Sequence, residues 1–236
     1  KVTGTLGNTG SGVGSYAGAI TNAGTLIVES AASQTLAGNI TGTGAFTKAG
    51  TGTAILAASG NSYTGATTIS GGVLQIGNST SAGSLGGAGT VTNNAVLRFA
   101  GNGAVAVEKT ISGTGSVEQT GTSTTTLTAN NTYSGTTTIS GGKLTVGSGT
   151  GGSTTGSVGT GAISISTGAT FEVNRSNTYI LTQNITGAGT LSQIGSGRLS
   201  ITADNYDDDN TTGFTGSVTI ADGTLGVYNN QALGTA

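Results

Sequence analysis

The feature that most constrains this chain is internal repetition. The run Tyr63-Thr64-Gly65-Ala66-Thr67-Thr68-Ile69-Ser70-Gly71-Gly72-Val73-Leu74-Gln75-Ile76-Gly77 returns as Tyr133-Ser134-Gly135-Thr136-Thr137-Thr138-Ile139-Ser140-Gly141-Gly142-Lys143-Leu144-Thr145-Val146-Gly147. A worn copy follows as Phe214-Thr215-Gly216-Ser217-Val218-Thr219-Ile220-Ala221-Asp222-Gly223-Thr224-Leu225-Gly226-Val227. Copies of one small β-rich phrase stack along an axis, so the core runs lengthwise rather than around a centre. The flanks match as well. Ile40-Thr41-Gly42-Thr43-Gly44-Ala45-Phe46 parallels Ile111-Ser112-Gly113-Thr114-Gly115-Ser116-Val117 and Ile185-Thr186-Gly187-Ala188-Gly189-Thr190-Leu191. Apolar residues precede these phrases (Leu36, Val107, Leu181) and follow them (Leu56, Leu127, Ile201), and Leu85-Gly86 and Leu233-Gly234 come later. The pattern gives repeats over 36–106, 107–180 and 181–236 in one continuous body covering 1–236.

The early phrase recurs at offsets of 71 and 74 (111−40 and 185−111). The later one recurs at 70 and 81 (139−69 and 220−139), which locates an insertion loop at 202–213. Runs such as Thr67-Thr68-Ile69-Ser70 and Val73-Leu74-Gln75-Ile76 alternate with period 2, as strands do. Glycine pairs and Gly-Asn steps divide them, and no apolar spacing of three and four persists, so almost no helix is expected. Short strands, three or so to a coil of roughly 20 to 25 residues, predict an all-β, single-stranded parallel β-helix. A repeat then makes about three coils and the chain about ten, roughly 50 Å of rod at the strand spacing. Ile69, Ile139 and Ile220 are expected on one wall, about three coils apart. Only the two ends of such a rod present raw edges.

Composition narrows the chemistry. Leu, Ile, Val and Phe make 47 of 236 residues, a level at which disorder is a concern, but the net charge is only −2 and charged residues are 7%. So little charge, with abundant Gly, Thr and Ser, fits a regular β-structure in which each strand buries one or two apolar residues. The chain has no Cys, which excludes disulfides and thiol chemistry, and no His, which removes the commonest general base and metal ligand. It has no Pro, so turning falls to its 46 Gly and to Asn. No apolar run is long enough for a membrane helix, and Lys1-Val2-Thr3-Gly4 does not open a signal peptide. Absent Cys, an acidic pI and low charge fit an exported protein, and a pattern that begins and ends in mid-phrase suggests a piece of a longer one.

The phrase at 63–77 and 133–147, with its weaker copy at 214–227 and the Leu85-Gly86 and Leu233-Gly234 steps, resembles the passenger-associated transport repeat, also called the autotransporter-associated β-strand repeat. The resemblance implies a right-handed parallel β-helix in the passenger of a bacterial autotransporter, the type V secretion route. Such passengers cross the outer membrane through a C-terminal β-barrel and stay at the cell surface or are released. The repeat is implied to aid folding and secretion rather than catalysis. Adhesion, autoaggregation, biofilm formation and virulence are the roles implied. The fragment itself is then not membrane-embedded, and the full-length chain is tethered by its barrel.

Candidate sites are few. Asp204, Asp207, Asp208 and Asp209 hold four of the nine acidic residues and have oxygen ligands suited to Ca²⁺, but lack the spacing of known calcium loops; a solvated insertion is the plainer reading. No pair of carboxylates is placed to flank a sugar, and the chain reads as no enzyme, with no catalytic residue, cofactor or metal assigned. Arg98, Arg175 and Arg198 are scattered and read as solubilising surface residues. Tyr63, Tyr133 and Phe214 share one slot, either a sugar-stacking face or, more simply, packing at a strand end. The Gly-rich runs at Gly42 and Gly44 and at Gly87-Ala88-Gly89 precede no helix, so they form no phosphate loop. Seven basic residues without a stripe disfavour nucleic acid. Thr-rich strands suggest ice binding, but Thr67-Thr68 and Thr137-Thr138 recur only once per repeat, which predicts gaps in any threonine column. The leading expectation is a structural, adhesive segment that extends a rod and contacts copies of itself, host surface or matrix. The alternative is a carbohydrate-active β-helix, a lyase or glycan-binding module.

Overall fold

The computed structural model describes residues 14–149, 152–205, 213–228 and 232–234. Every described strand pairs in parallel with one from the turn before or after it, and no helix occurs among the described residues. The chain is a three-walled β-solenoid. The first wall is a nine-stranded sheet of Gly14–Tyr16, Gln34–Leu36, Thr53–Leu56, Val73–Ile76, Val96–Phe99, Ser116–Gln119, Thr137–Ile139, Ile163–Ile165 and Ile185–Thr186. A bridge from Gly187 to Phe214 carries this wall to a ninth turn, about 43 Å of rod at the usual strand spacing.

A plain turn advances the numbering by 20, as from Gln34 to Ala54 and on to Leu74 (54−34 and 74−54), and these three stack directly. Longer turns bulge outward: Leu74 to Leu97 takes 23 (97−74) and Thr137 to Ile163 takes 26 (163−137). Inward residues alternate with outward ones, and the inward column of each wall is apolar. Leu74, Leu97 and Val117 stack on the first wall, and Leu144, Phe171 and Leu191 on the second. All six are buried; a fully buried side chain of this size contributes about 1.5–3 kcal/mol.

The three copies of the repeat do not share a wall. Phe46 is followed on the third wall by Thr67, Val91 and Ile111, three turns that advance the numbering by 65 (111−46). Val117, which corresponds to Phe46, lies six residues beyond Ile111 and therefore on the first wall. From Val117 three turns lead to Ile185, an advance of 68 (185−117), and Leu191 falls six later, on the second wall. One repeat is thus three turns plus one wall, and each copy is rotated by about a third of a turn. The expected common wall for Ile69, Ile139 and Ile220 is overturned. Ile69 lies on the third wall, Ile139 on the first and Ile220 on the second. Ile220, on the last described turn, is 52% exposed, whereas the other two are buried. The whole-number expectation fails because three turns take 65 or 68 residues and a repeat takes 71 or 74 (117−46 and 191−117), and the six left over make one extra strand.

The rotation has a mechanical consequence. Each repeat holds two successive turns in which one wall carries no strand, at the aromatic slot. The gap falls on the second wall at 61–63 and 82–87, and on the third at 131–133 and 157–160. In the last repeat it reaches the first wall, at Phe214 and Gly234. A repeat of three whole turns would pile every gap onto one wall and leave a seam with few ladder bonds.

Candidate functional surface

Three asparagines bracket the gaps. Asn61 accepts from the Ile40 N–H at 2.8 Å and donates to the carbonyls of Ala58 (3.0 Å) and Ser84 (2.8 Å), so one side chain spans three turns. Asn131 repeats this with Ile111 N–H (2.8 Å), Ala129 O (3.2 Å) and Ser157 O (2.6 Å). Asn205 accepts from Ile185 N–H and donates to Ala232 O. All three are buried. Strands are absent there, and the carboxamide supplies both the acceptor and the donor that a missing ladder would have provided.

Asn61 and Asn131 stand two residues before their aromatic, but Asn205 stands nine before Phe214. The seven extra residues of this spacing are 206–212; the insertion loop expected at 202–213 lies largely outside the described residues. The residues that flank them are close, since the Phe214 N–H donates to Asn205 O at 3.1 Å. Removal of 206–212 restores the two-residue spacing through Gly213. The deleted protein is expected to keep its thermal midpoint and circular dichroism within the scatter of surface changes, about 0.5 kcal/mol. A loss of several kcal/mol would show the insertion to be part of the core.

The aromatic slot lies inside the rod. Tyr63 is 1% exposed, its ring centroid is 6.0 Å from that of Phe46, and its hydroxyl meets Thr67 Oγ1 at 2.8 Å. Tyr133 repeats the pair with Thr137 at 2.7 Å. Gly86 and Gly159 of the next turn lie against the two phenols. Those glycines lie flat on the rings: a Cβ on Gly86 would be 2.5 Å from Tyr63 Cδ1 and Cε1. This close approach accounts for the Leu85-Gly86 step. In the third copy the hydroxyl pair is lost as a unit, with Phe214 in the slot and Val218 in place of the threonine, so no polar atom is stranded. Rings so enclosed pack; they stack no sugar.

Burial pushes the phenols of Tyr63 and Tyr133 up, against the smaller opposite pull of their hydrogen bonds. Tyr179 is pushed up to about 12, first by burial, while the Val158 backbone bond and Arg175 pull it down. An unfolded chain sheds these protons near pH 10 and the folded one does not. Stability from these groups is therefore complete below about pH 10 and lost as pH rises above it, for Tyr179 through about 12. Phenolate absorbance is expected to appear together with loss of β-sheet dichroism in that window. Ionisation of the three buried phenols near pH 10 with the fold intact would contradict this.

A third repeated slot holds a long donor: Lys48, Gln119 and Gln193, each fully or almost fully buried. Gln119 Nε2 donates to Gly121 O (3.0 Å) and Ser123 O (3.2 Å). Gln193 Nε2 does so to Gly195 O (2.7 Å) and Gly197 O (3.2 Å). Lys48 Nζ serves Gly50 O and, at 3.1 Å, Gly71 O, and burial lowers its pKa. Over the converging carbonyls the following turn lays Gly72, Gly142 and Gly223, at φ of 61°, 53° and 71°. A Cβ on Gly72 would come within 2.4 Å of Gly52 O. The glutamines leave their Oε1 atoms buried without a partner.

Arg175 is not a surface residue. It is 8% exposed, donates to Gly156 O (2.7 Å), Thr154 O (2.5 Å) and Asn177 Oδ1 (3.0 Å), and lies over the Tyr179 ring at 5.0 Å. Its planar fork ties down the wide loop after Gly147, a task for which a solvated cation has no geometry. Arg98 pairs with Glu118 at 2.7 Å across adjacent rungs, and Arg198 lies over Tyr228 at 5.2 Å. Lys143 pairs with Glu172 at 2.7 Å. Asp204 is exposed, and Asp207, Asp208 and Asp209 lie outside the described residues. Among the described residues no group of three acidic side chains is placed to hold a metal ion.

The expected gaps in the threonine column are present on the first wall, where Thr138 lies between Glu118 and Ser164. On the third wall they close locally: Thr47, Thr68, Thr92 and Ser112 occupy four consecutive rungs. Thr47, Thr92 and Ser112 come from outside the repeated phrase and flank its Thr68. A fifth rung, with Thr132 and Ser134 outward, joins through N–H bonds to Ile111 O and Gly113 O, both 2.9 Å. Across these five rungs no charged side chain points outward, whereas the first and second walls carry the Arg98–Glu118 and Lys143–Glu172 pairs.

The family model of the passenger-associated-transport-repeat matches the chain three times, over 46–76, 117–146 and 191–227. Each match begins one residue into a strand and ends on the last residue of the strand that follows the corner glycine. No curated protein and no solved structure matches the chain.

Proposed function

We propose that this chain, which carries three passenger-associated transport repeats, is a structural and adhesive segment of a bacterial autotransporter passenger displayed at the cell surface. Its work is to extend a stiff rod and to make lateral contacts, first with copies of itself. The observation that supports this reading is the uncharged hydroxyl wall. Its Thr and Ser side chains offer donors and acceptors in register, without repulsion between two such walls. Five rungs with about three outward side chains each, as Thr90, Thr92 and Asn94 on one of them, give roughly 300 Å² a side, against about 800 Å² for a stable pair. One such contact is weak, and strength comes from many in series.

Sedimentation velocity up to about 1 mM protein, the range of millimolar affinity, tests it. Reversible self-association is expected, abolished by Thr92→Lys and unaffected by Thr138→Lys on the first wall. A strict monomer, or a rod that depolymerises a polysaccharide, overturns the reading. Equal loss in both variants overturns the choice of wall.

A further inference from the structure

The geometry points to Asn102 as a site of spontaneous covalent modification, deamidation through a succinimide formed with Gly103. The step Asn102-Gly103 is the single Asn-Gly in the sequence. It stands at the bend between Val96–Phe99 on the first wall and Val105–Val107 on the second, with Asn102 exposed. Among the described residues neither the Asn102 carboxamide nor the Gly103 N–H has a hydrogen-bond partner. The corner is held by a long bond, Asn102 N–H to Ser81 O at 3.4 Å.

In the reaction the Gly103 nitrogen attacks Asn102 Cγ. The bond from Cγ to the carboxamide nitrogen breaks, and that nitrogen leaves as ammonia, carrying the Gly103 amide proton. Water then opens the ring at either carbonyl, which gives Asp or iso-Asp. A next residue without a side chain lets its nitrogen reach Cγ, and exposure lets water finish the step.

The other asparagines supply the contrast. Asn61 and Asn131 hold both ends of their carboxamides in hydrogen bonds between turns and are followed by Ser62 and Thr132. Asn22 and Asn93 are buried and donate to Ala45 O (2.8 Å) and Ser116 O (2.7 Å). The rod thus protects the asparagines that hold it together and leaves this corner reactive. Conversion takes the net charge from −2 to −3. The iso-Asp route lengthens the main chain where Gly103 already crowds Ala82, whose Cβ would be 2.8 Å from a Cβ on residue 103.

The test is to age the folded protein in mildly alkaline buffer at body temperature and map the gain of about one mass unit by peptide mass spectrometry. Asn102 is expected to convert about tenfold or more faster than Asn61 or Asn131, and to keep most of the rate it shows in urea. Asn102→Gln is expected to abolish the change at this position with dichroism intact. Gly103→Ala, which also tests the crowding, is expected to slow it about tenfold. Parity between Asn102 and the buried asparagines, or suppression of Asn102 by folding about as strong as theirs, overturns the inference.

Discussion

Replacement of Asn131 by alanine is expected to remove about 3 to 5 kcal/mol of stability, the largest effect of any polar substitution in the rod. The change strands the Ile111 N–H and the Ala129 and Ser157 carbonyls at a place where the wall has no strand. Each buried group left unpaired costs about 1–3 kcal/mol. Asn94→Ala is the control. Asn94 is exposed and accepts one bond, from Thr114 N–H at 3.2 Å. Its loss is expected to cost about 0.5 kcal/mol, as for other surface changes. Urea unfolding followed by circular dichroism measures both. Because a solenoid's stability is a sum over neighbouring turns, Asn131→Ala is also expected to break the single transition in two. Hydrogen exchange should then rise first around 111 and 157. A shift below about 1 kcal/mol would mean that the bracket is dispensable.

Gly159→Ala is expected to cost more than about 3 kcal/mol, at or beyond the upper end for overpacked cores. Its Cβ would stand 2.0 Å from Tyr133 O and 2.5 Å from Tyr133 Cδ2. The carbonyl belongs to the ladder and cannot swing away, so trimming the ring in Tyr133→Leu is expected not to rescue the variant. Gly24→Ala is the matched control, since nothing lies within 4 Å of its added carbon. The thermal midpoint of the three proteins decides it. Rescue by Tyr133→Leu would show that ring contact, not the main chain, demands the glycine.

Much of this is legible in the sequence. The strands at 67–69 and 73–76 follow from their alternation, and the absence of helix from the glycine and threonine content. The aromatic slot reads as packing, and in the rod it packs. The asparagine brackets escape a reading of the sequence, although a signal exists. Asn61 and Asn131 each precede Tyr by two residues, but alignment on Phe214 hides Asn205 behind the insertion. Lys48, Gln119 and Gln193 occupy one slot, yet three long polar side chains read as surface until the converging carbonyls of the corner are seen. Arg175 misleads for the same reason: its fork is buried because a loop one turn earlier leaves carbonyls to be met. The roles of Asp207, Asp208 and Asp209 fall outside the described residues.

The sequence by itself determined the rung. Alternation selects which side chains enter the rod, glycine permits the corners, and each strand's bonds are met by the strand one turn away. These are local properties, so short stretches carry them. Only the tertiary structure decided the azimuth, the wall on which each copy lies. Azimuth depends on the running sum of residues per turn, and six residues left over from three turns move an entire repeat to the next face. The same summation decided which walls are charged and which is not, since neighbours on a wall come from different parts of one repeat or from successive repeats.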